Sequence, residues 1–232
     1  MAEQDILTQV EIAKLLGVDR IKENKSENTE SYFDEYQFEI YQKYFNRHKK
    51  TLTEFNKLLA QLLCAEFLEE FQQLTRVKAE EITRYRLVEF VHYMEYPTMM
   101  STVRSNIFGR NLLIVVDPKL TYTLTKSSSK QCIKSKKNKK ETGFSLYENK
   151  TNKKLQNLLV QAIRLLWDEQ NILKLKAVEL KTNPQLCDIA GPSDIIVICP
   201  FLVKVNGTEG YIHLVLPWDF FNLMIGFWAG RS

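Results

Sequence analysis

Leu58-Leu59-Ala60-Gln61 returns one hundred residues later as Leu158-Leu159-Val160-Gln161. Val77-Lys78-Ala79 returns as Leu175-Lys176-Ala177 at an offset of 98, and Val115-Val116-Asp117-Pro118 as Val215-Leu216-Pro217, proline on proline, at an offset of 99. Each match alone carries nothing, but three in one order at a near-constant offset describe two copies of one unit. The unit reads as a long helix, some strands and a helix that starts at proline. Two such units predict one α+β domain with pseudo-two-fold symmetry, its long helices packed on a mostly antiparallel sheet.

The elements follow from the hydrophobic periods. Residues 33–74 hold neither proline nor glycine, and Phe38, Tyr41, Phe45, Leu52, Phe55, Leu59 and Leu62 recur near the helical repeat, giving one long helix or two abutting ones. A second long helix covers 152–169, with Leu155, Leu158, Leu159, Ala162, Ile163 and Leu166 on one stripe. Extended stretches are expected at about 76–83, 99–105, 111–116, 174–181, 194–205 and 210–216. Asn206-Gly207 between two apolar runs predicts a hairpin. Asp117-Pro118 predicts a helix cap followed by proline at the first helical position, and Pro217 repeats that strand-to-helix turn.

Charge divides the chain further. Residues 126–140 hold seven lysines and no acid; the whole chain carries +4, and taking those seven away leaves −3 for everything else. The lysine run has neither aromatic nor arginine beside it, which speaks against nucleic acid. It reads as a solvated, mobile loop at 126–142 that could meet an acidic partner or anionic lipid. Residues 17–31 are polar and charged with little to bury and read as a disordered linker. The organisation expected is therefore a short capped helix at 1–17, a linker at 18–32 and a body at 33–232, its repeats at about 33–126 and 150–232 joined by the lysine-rich loop.

No catalytic or cofactor motif is written in the chain. Three scattered histidines (His48, His92 and His213) predict no metal site, and four cysteines without a C-x-x-C pair read as reduced thiols. No apolar run approaches the ~20 residues of a membrane helix. The N-terminus carries more information. Thr8-Gln9-Val10-Glu11 is a capping box, with Leu7 and Ile12 as its hydrophobic staple, Leu15 and Leu16 extending the apolar face and Gly17 as the stop. A helix so short is marginal alone in water, so it predicts a segment that folds into a partner's groove. At the other end, 218–228 is apolar nearly all round a helix, with only Asp219 and Asn222 polar among its side chains. That pattern marks Phe227 and Trp228 as a candidate interface with a partner or a second copy, and Phe221 as core.

The segment Ile6-Leu7-Thr8-Gln9-Val10-Glu11-Ile12-Ala13-Lys14-Leu15-Leu16 resembles the N-terminal signature of the flagellar motor switch FliM family. Glu89-Phe90 with Tyr96-Pro97-Thr98, Phe108-Gly109-Arg110-Asn111-Leu112-Leu113 with Asp117-Pro118-Lys119-Leu120, and Asn183-Pro184-Gln185 with Pro192-Ser193-Asp194, Pro200-Phe201 and Leu216-Pro217 resemble its middle domain. The resemblance implies a duplicated CheC-like fold and a non-enzymatic adaptor in the switch ring, at the cytoplasmic face of the bacterial inner membrane, without cofactor or metal. It implies contacts with the rotor protein FliG, with neighbouring copies in the ring, and with the phosphorylated response regulator CheY through Leu7, Thr8, Glu11, Ile12, Leu15 and Leu16. Three departures qualify it. The family's glycine-rich FliG-contacting loop is replaced by Leu124-Thr125-Lys126-Ser127-Ser128-Ser129. Ala13 and Lys14 stand where the signature has an acid and a small residue, so weaker CheY binding is expected. The chain stops at Ser232, before the domain that pairs with FliN, so FliN contact is not expected. Two alternatives stand beside this reading. One is an export-related basal-body component without chemotactic switching. The other is a CheC-like response-regulator phosphatase, whose E-x-x-N pair neither long helix holds: Glu54-Phe55-Asn56 has the wrong spacing, and Asp168-Glu169-Gln170-Asn171 has aspartate for glutamate.

Overall fold

The computed structural model describes residues 28–128, 143–167 and 173–229, with side chains from residue 41 onward. The chain divides into two units, Met1–Arg47 and His48–Ser232. The expected capped helix at 1–17 and most of the lysine-rich loop lie outside the described residues.

The first long helix, α1 (Asn28–Phe71), is unbroken and opens at Asn28, inside the stretch expected as linker. β1 (Thr75–Ala79) and β2 (Thr83–Arg86) follow, then a six-residue helix α2 (Leu87–His92). The hairpin of β3 (Met99–Ser105) and β4 (Arg110–Val116) leads into α3 (Pro118–Ser128). The second half runs α4 (Leu146–Trp167), β5 (Leu175–Lys181), a 3₁₀ turn at Pro184–Leu186, β6 (Ile195–Val205), β7 (Thr208–Pro217) and α5 (Trp218–Ala229). Lys126 lies in the last turn of α3 and not in a loop. Asn206 and Gly207 take φ values of 49° and 74°, the left-handed pair that a two-residue hairpin turn demands.

All seven strands form one antiparallel sheet in the order β1-β6-β7-β4-β3-β5, with β2 also on β6. Exchanging β1 with β5, β3 with β6 and β4 with β7 turns this order back onto itself, so the duplication read from the sequence is a two-fold relation in the sheet. The repeats also interlock: β1 of the first closes on β6 of the second, and β5 of the second closes on β3 of the first.

The stretch expected as a single strand at 76–83 is two. β1 leaves β6 at Phe201 and β2 rejoins it at Ile198, so the break lies opposite Cys199-Pro200. Pro200 has no N–H to offer a ladder, and its carbonyl accepts instead from the Glu80 N–H at 2.9 Å.

The two sheet faces are buried differently. Ser101 of β3 receives the Gln156 amide of α4 at 2.8 Å, and Cys199 of β6 lies beside Asn56 of α1, so this face meets the long helices. On the other face Leu87, Met100, Leu113, Val115, Ile196 and Ile198 form, with Val215, a second apolar cluster. Phe90, Val91 and Met94 cover it from the first repeat, and Cys187, Ile189 and Ala190 from the second.

Candidate functional site

Three places were marked by the sequence: the N-terminal segment, the α3–α4 connection and the end of α5. Leu7, Thr8, Glu11, Ile12, Leu15 and Leu16 lie outside the described residues. The other two can be built from their side chains.

α3 starts where Asp117 clamps the β7 strand. The Tyr211 N–H donates to Asp117 Oδ2 at 3.0 Å, and the Asp117 N–H donates to the Tyr211 carbonyl at 2.9 Å. Next to that clamp Gly210 lets Leu120 come down on the sheet, because a Cβ at 210 would stand 2.8 Å from Leu120 Cγ. α3 then lies along α4 through hydroxyls: Thr121 Oγ1 donates to Asn152 Oδ1 at 2.7 Å, and Thr125 Oγ1 bonds Thr151 Oγ1 at 2.8 Å. Its last turn is tied to the β6–β7 hairpin, where Asn206 Nδ2 donates to Ser127 Oγ at 2.8 Å and to Gln73 Oε1 at 2.7 Å.

On the far side of the connection α4 opens with a capping box. The Ser145 N–H donates to Glu148 Oε2 at 2.7 Å, and the Glu148 N–H approaches Ser145 Oγ at 3.4 Å. The S-x-x-E spacing of Ser145-Leu146-Tyr147-Glu148 carries this signal in the sequence; the reading that starts this helix at 152 misses it. Glu148 is buried; burial first, then Glu148 and Glu95, push the neighbouring Tyr122 phenol up from its ordinary range. Both points at which the lysine-bearing connection leaves and re-enters the fold are therefore fixed by hydrogen bonds.

At the end of α5 the two candidate interface rings also have partners within the chain. Trp228 stacks on Phe55 of α1 with ring centroids 4.0 Å apart and planes at 16°, and meets Trp167 of α4 edge-on at 5.6 Å. Phe227 meets Phe108 of the β3–β4 loop edge-on at 6.2 Å. Both rings are half-buried and engaged within the chain, while Asp219, Leu223 and Gly226 form the exposed stripe of this helix. Phe221 is fully buried, as expected.

His213 on β7 sits between Tyr211, stacked at 5.6 Å, and Phe90 of α2, edge-on at 5.6 Å. Burial pushes its imidazole below the ordinary histidine range, opposed by Asp117. Full burial pushes the Cys199 thiol up to about 12, with Asn56 opposing it, so this thiol is inert core. Among the described residues no group of three or more His, Cys, Asp or Glu side chains could hold a metal, and no helix is long and apolar enough to cross a membrane.

Comparison with known proteins places this geometry. The family model described as flagellar motor switch protein FliM matches residues 46–226. The chain is 20% identical over 222 residues to the flagellar motor switch protein FliM of Treponema pallidum, covering 92% of this chain and 63% of that protein. Its fold is similar to the crystal structure of the FliM middle domain from Vibrio alginolyticus, with a TM-score of 0.66 and 18% identity, over 75% of this chain and 97% of that one. It is likewise similar to a chain of the FliG-FliM complex from H. pylori, with a TM-score of 0.68 and 10% identity, over 76% of this chain and 96% of that one. The likeness to solved structures establishes the CheC-like middle-domain fold, and the family match spans most of the length: the chain belongs to the flagellar motor switch protein FliM family.

Proposed function

We propose that the chain is a non-enzymatic adaptor of the flagellar motor switch ring, joining FliG to the response regulator CheY at the cytoplasmic face of the inner membrane. The observation that carries this reading is the family match across both repeats, residues 46–226. A FliG contact is supported by the similar fold of a chain in the FliG-FliM complex. The α3–α4 connection stands where the resemblance puts the family's FliG-contacting loop, without its glycines, and its two ends are pinned by Asn206–Ser127 and by the Ser145–Glu148 box. CheY binding is supported by the capping box and apolar stripe at Leu7, Thr8, Glu11, Ile12, Leu15 and Leu16. The absence of an E-x-x-N pair from both long helices supports binding without dephosphorylation.

Gel-filtration co-elution of the full chain with FliG, and fluorescence titration with phosphorylated CheY, test the two contacts separately. Wild-type chain should bind both. Leu15→Asp should lose CheY and keep FliG, because its effect is confined to the N-terminal segment. Failure to bind FliG, or faster loss of the phosphoryl group from CheY, would overturn the adaptor reading.

A further inference from the structure

The ladder between β3 and β5 sets two cations face to face. Arg104 and Lys176 are directly opposite in register, and both are exposed. Like charges so placed repel and destabilise the pair of strands. Lys174, also exposed, lies two residues before Lys176. No ion pair is formed by Arg104, Lys174 or Lys176 among the described residues, whereas Lys78, Lys181 and Lys204 of the same sheet each have a carboxylate within 3.1 Å.

The duplication supplies an internal control. The two-fold relation carries Arg104 and Lys176 onto Leu202 and Lys78, which are also in register. There one partner is apolar, and Lys78 is neutralised by Glu80 at 3.0 Å. The fold therefore does not require a cation pair at this place. A single lysine on an edge strand protects against chance pairing with other sheets. That role accounts for Lys176 on the edge strand β5 but not for Arg104 facing it from the inner strand β3.

Three further features surround the pair. Among the described residues β5 pairs only with β3, so its outer side lies at the edge of the described sheet. Val178 on β5 and Ile107 at the β3–β4 turn are 58% and 57% exposed. The half-buried Asn111 amide lies beside Arg104 in register. We propose that this surface docks an extended acidic segment of a protein partner along β5, its carboxylates meeting Arg104, Lys174 and Lys176 and its apolar side chains meeting Val178 and Ile107. Cation complementarity selects the acid, and the sheet edge selects an extended chain. No aromatic residue occurs in 104–107 or 173–181, which removes the stacking platform that single-stranded nucleic acid uses.

The test uses the full chain and an octapeptide of alternating glutamate and valine, joined by a zero-length carbodiimide that links carboxylates to nearby amines. Mass spectrometry should find the peptide on Lys174 and Lys176. Arg104→Gln should lower that yield severalfold by removing a charge from the site without adding a carboxylate. The same substitution should raise the thermal midpoint by about 1 °C, since it removes a repulsive cross-strand pair. Cross-links confined to the lysines of 126–140, or an Arg104→Gln chain that keeps its yield, would overturn the proposal. So would protection of Lys174 and Lys176 by a single-stranded oligonucleotide in place of the peptide.

Discussion

Ile114 and Leu214 face each other across the β4–β7 ladder, the seam at which the two repeats meet. The neighbouring pairs obey the same relation: Leu113 meets Val215 while Val115 meets His213. The pseudo-two-fold relation of the strand order is centred on this seam, and Ile114 and Leu214 are both buried in the core.

The two-fold relation makes a sharp comparison in the polar core. Asn56 and Gln156 stand at equivalent points of α1 and α4 and are each 1% exposed. Gln156 Nε2 donates to Ser101 Oγ at 2.8 Å, whereas among the described residues the Asn56 amide meets only the weakly bonding Cys199 thiol. Gln156→Leu should therefore destabilise by about 1–3 kcal/mol by stranding Ser101, while Asn56→Leu should be neutral or stabilising by about 1 kcal/mol. Urea denaturation of the two variants beside wild type decides this.

Trp228→Ala removes a stacked ring from Phe55 and an edge contact from Trp167, and should cost about 2–3 kcal/mol given that the indole is only half-buried. Leu223→Ala, on the exposed stripe of the same helix, should stay within about 0.5 kcal/mol. If denaturation midpoints reverse that order, Trp228 is free for an external partner after all.

Gly210 sits beneath Leu120 with no room for a side chain. Gly210→Val should push α3 off the β7 strand at a cost of about 1–3 kcal/mol. The loss should show first as faster hydrogen exchange at the Tyr211 amide, whose acceptor is the Asp117 carboxylate.

His213 predicts a pH dependence of stability. Its imidazole is held below the ordinary value of 6.5 in the folded chain, so the unfolded chain takes up the proton first as pH falls. The stability associated with neutral His213 is complete above about pH 6.5 and is lost as pH drops from there through the folded value. Thermal midpoints measured between pH 7.5 and 5 should fall less steeply for His213→Gln than for wild type. Parallel curves would assign the acid sensitivity to other groups.

The sequence made the long helices, the strand positions and the duplication legible because each rests on a local period or a repeated string. α2 escaped, since six residues from Leu87 to His92 span too few turns for a period to show. The break between β1 and β2 escaped because its cause, Pro200, lies on a strand more than a hundred residues away. The inner neighbours of Phe227 and Trp228 were hidden for the same reason. An all-apolar helix announces that every side is wanted, but not that Phe55 of α1 and Trp167 of α4 already occupy the sides those rings take. Arg104 and Lys176 are unremarkable in the sequence and become a pair only through the register of β3 with β5.

The exchange of outer strands between the repeats also governs how the chain is made. β1 emerges from the ribosome with Thr75–Ala79 and has no partner until Lys204 and Val205 follow. At a synthesis rate of about 5–20 residues per second, that wait is on the order of ten seconds. During it the backbone edge of β1 has no ladder partner from its own repeat, so the first half of the chain can close its sheet only when the second half has been made.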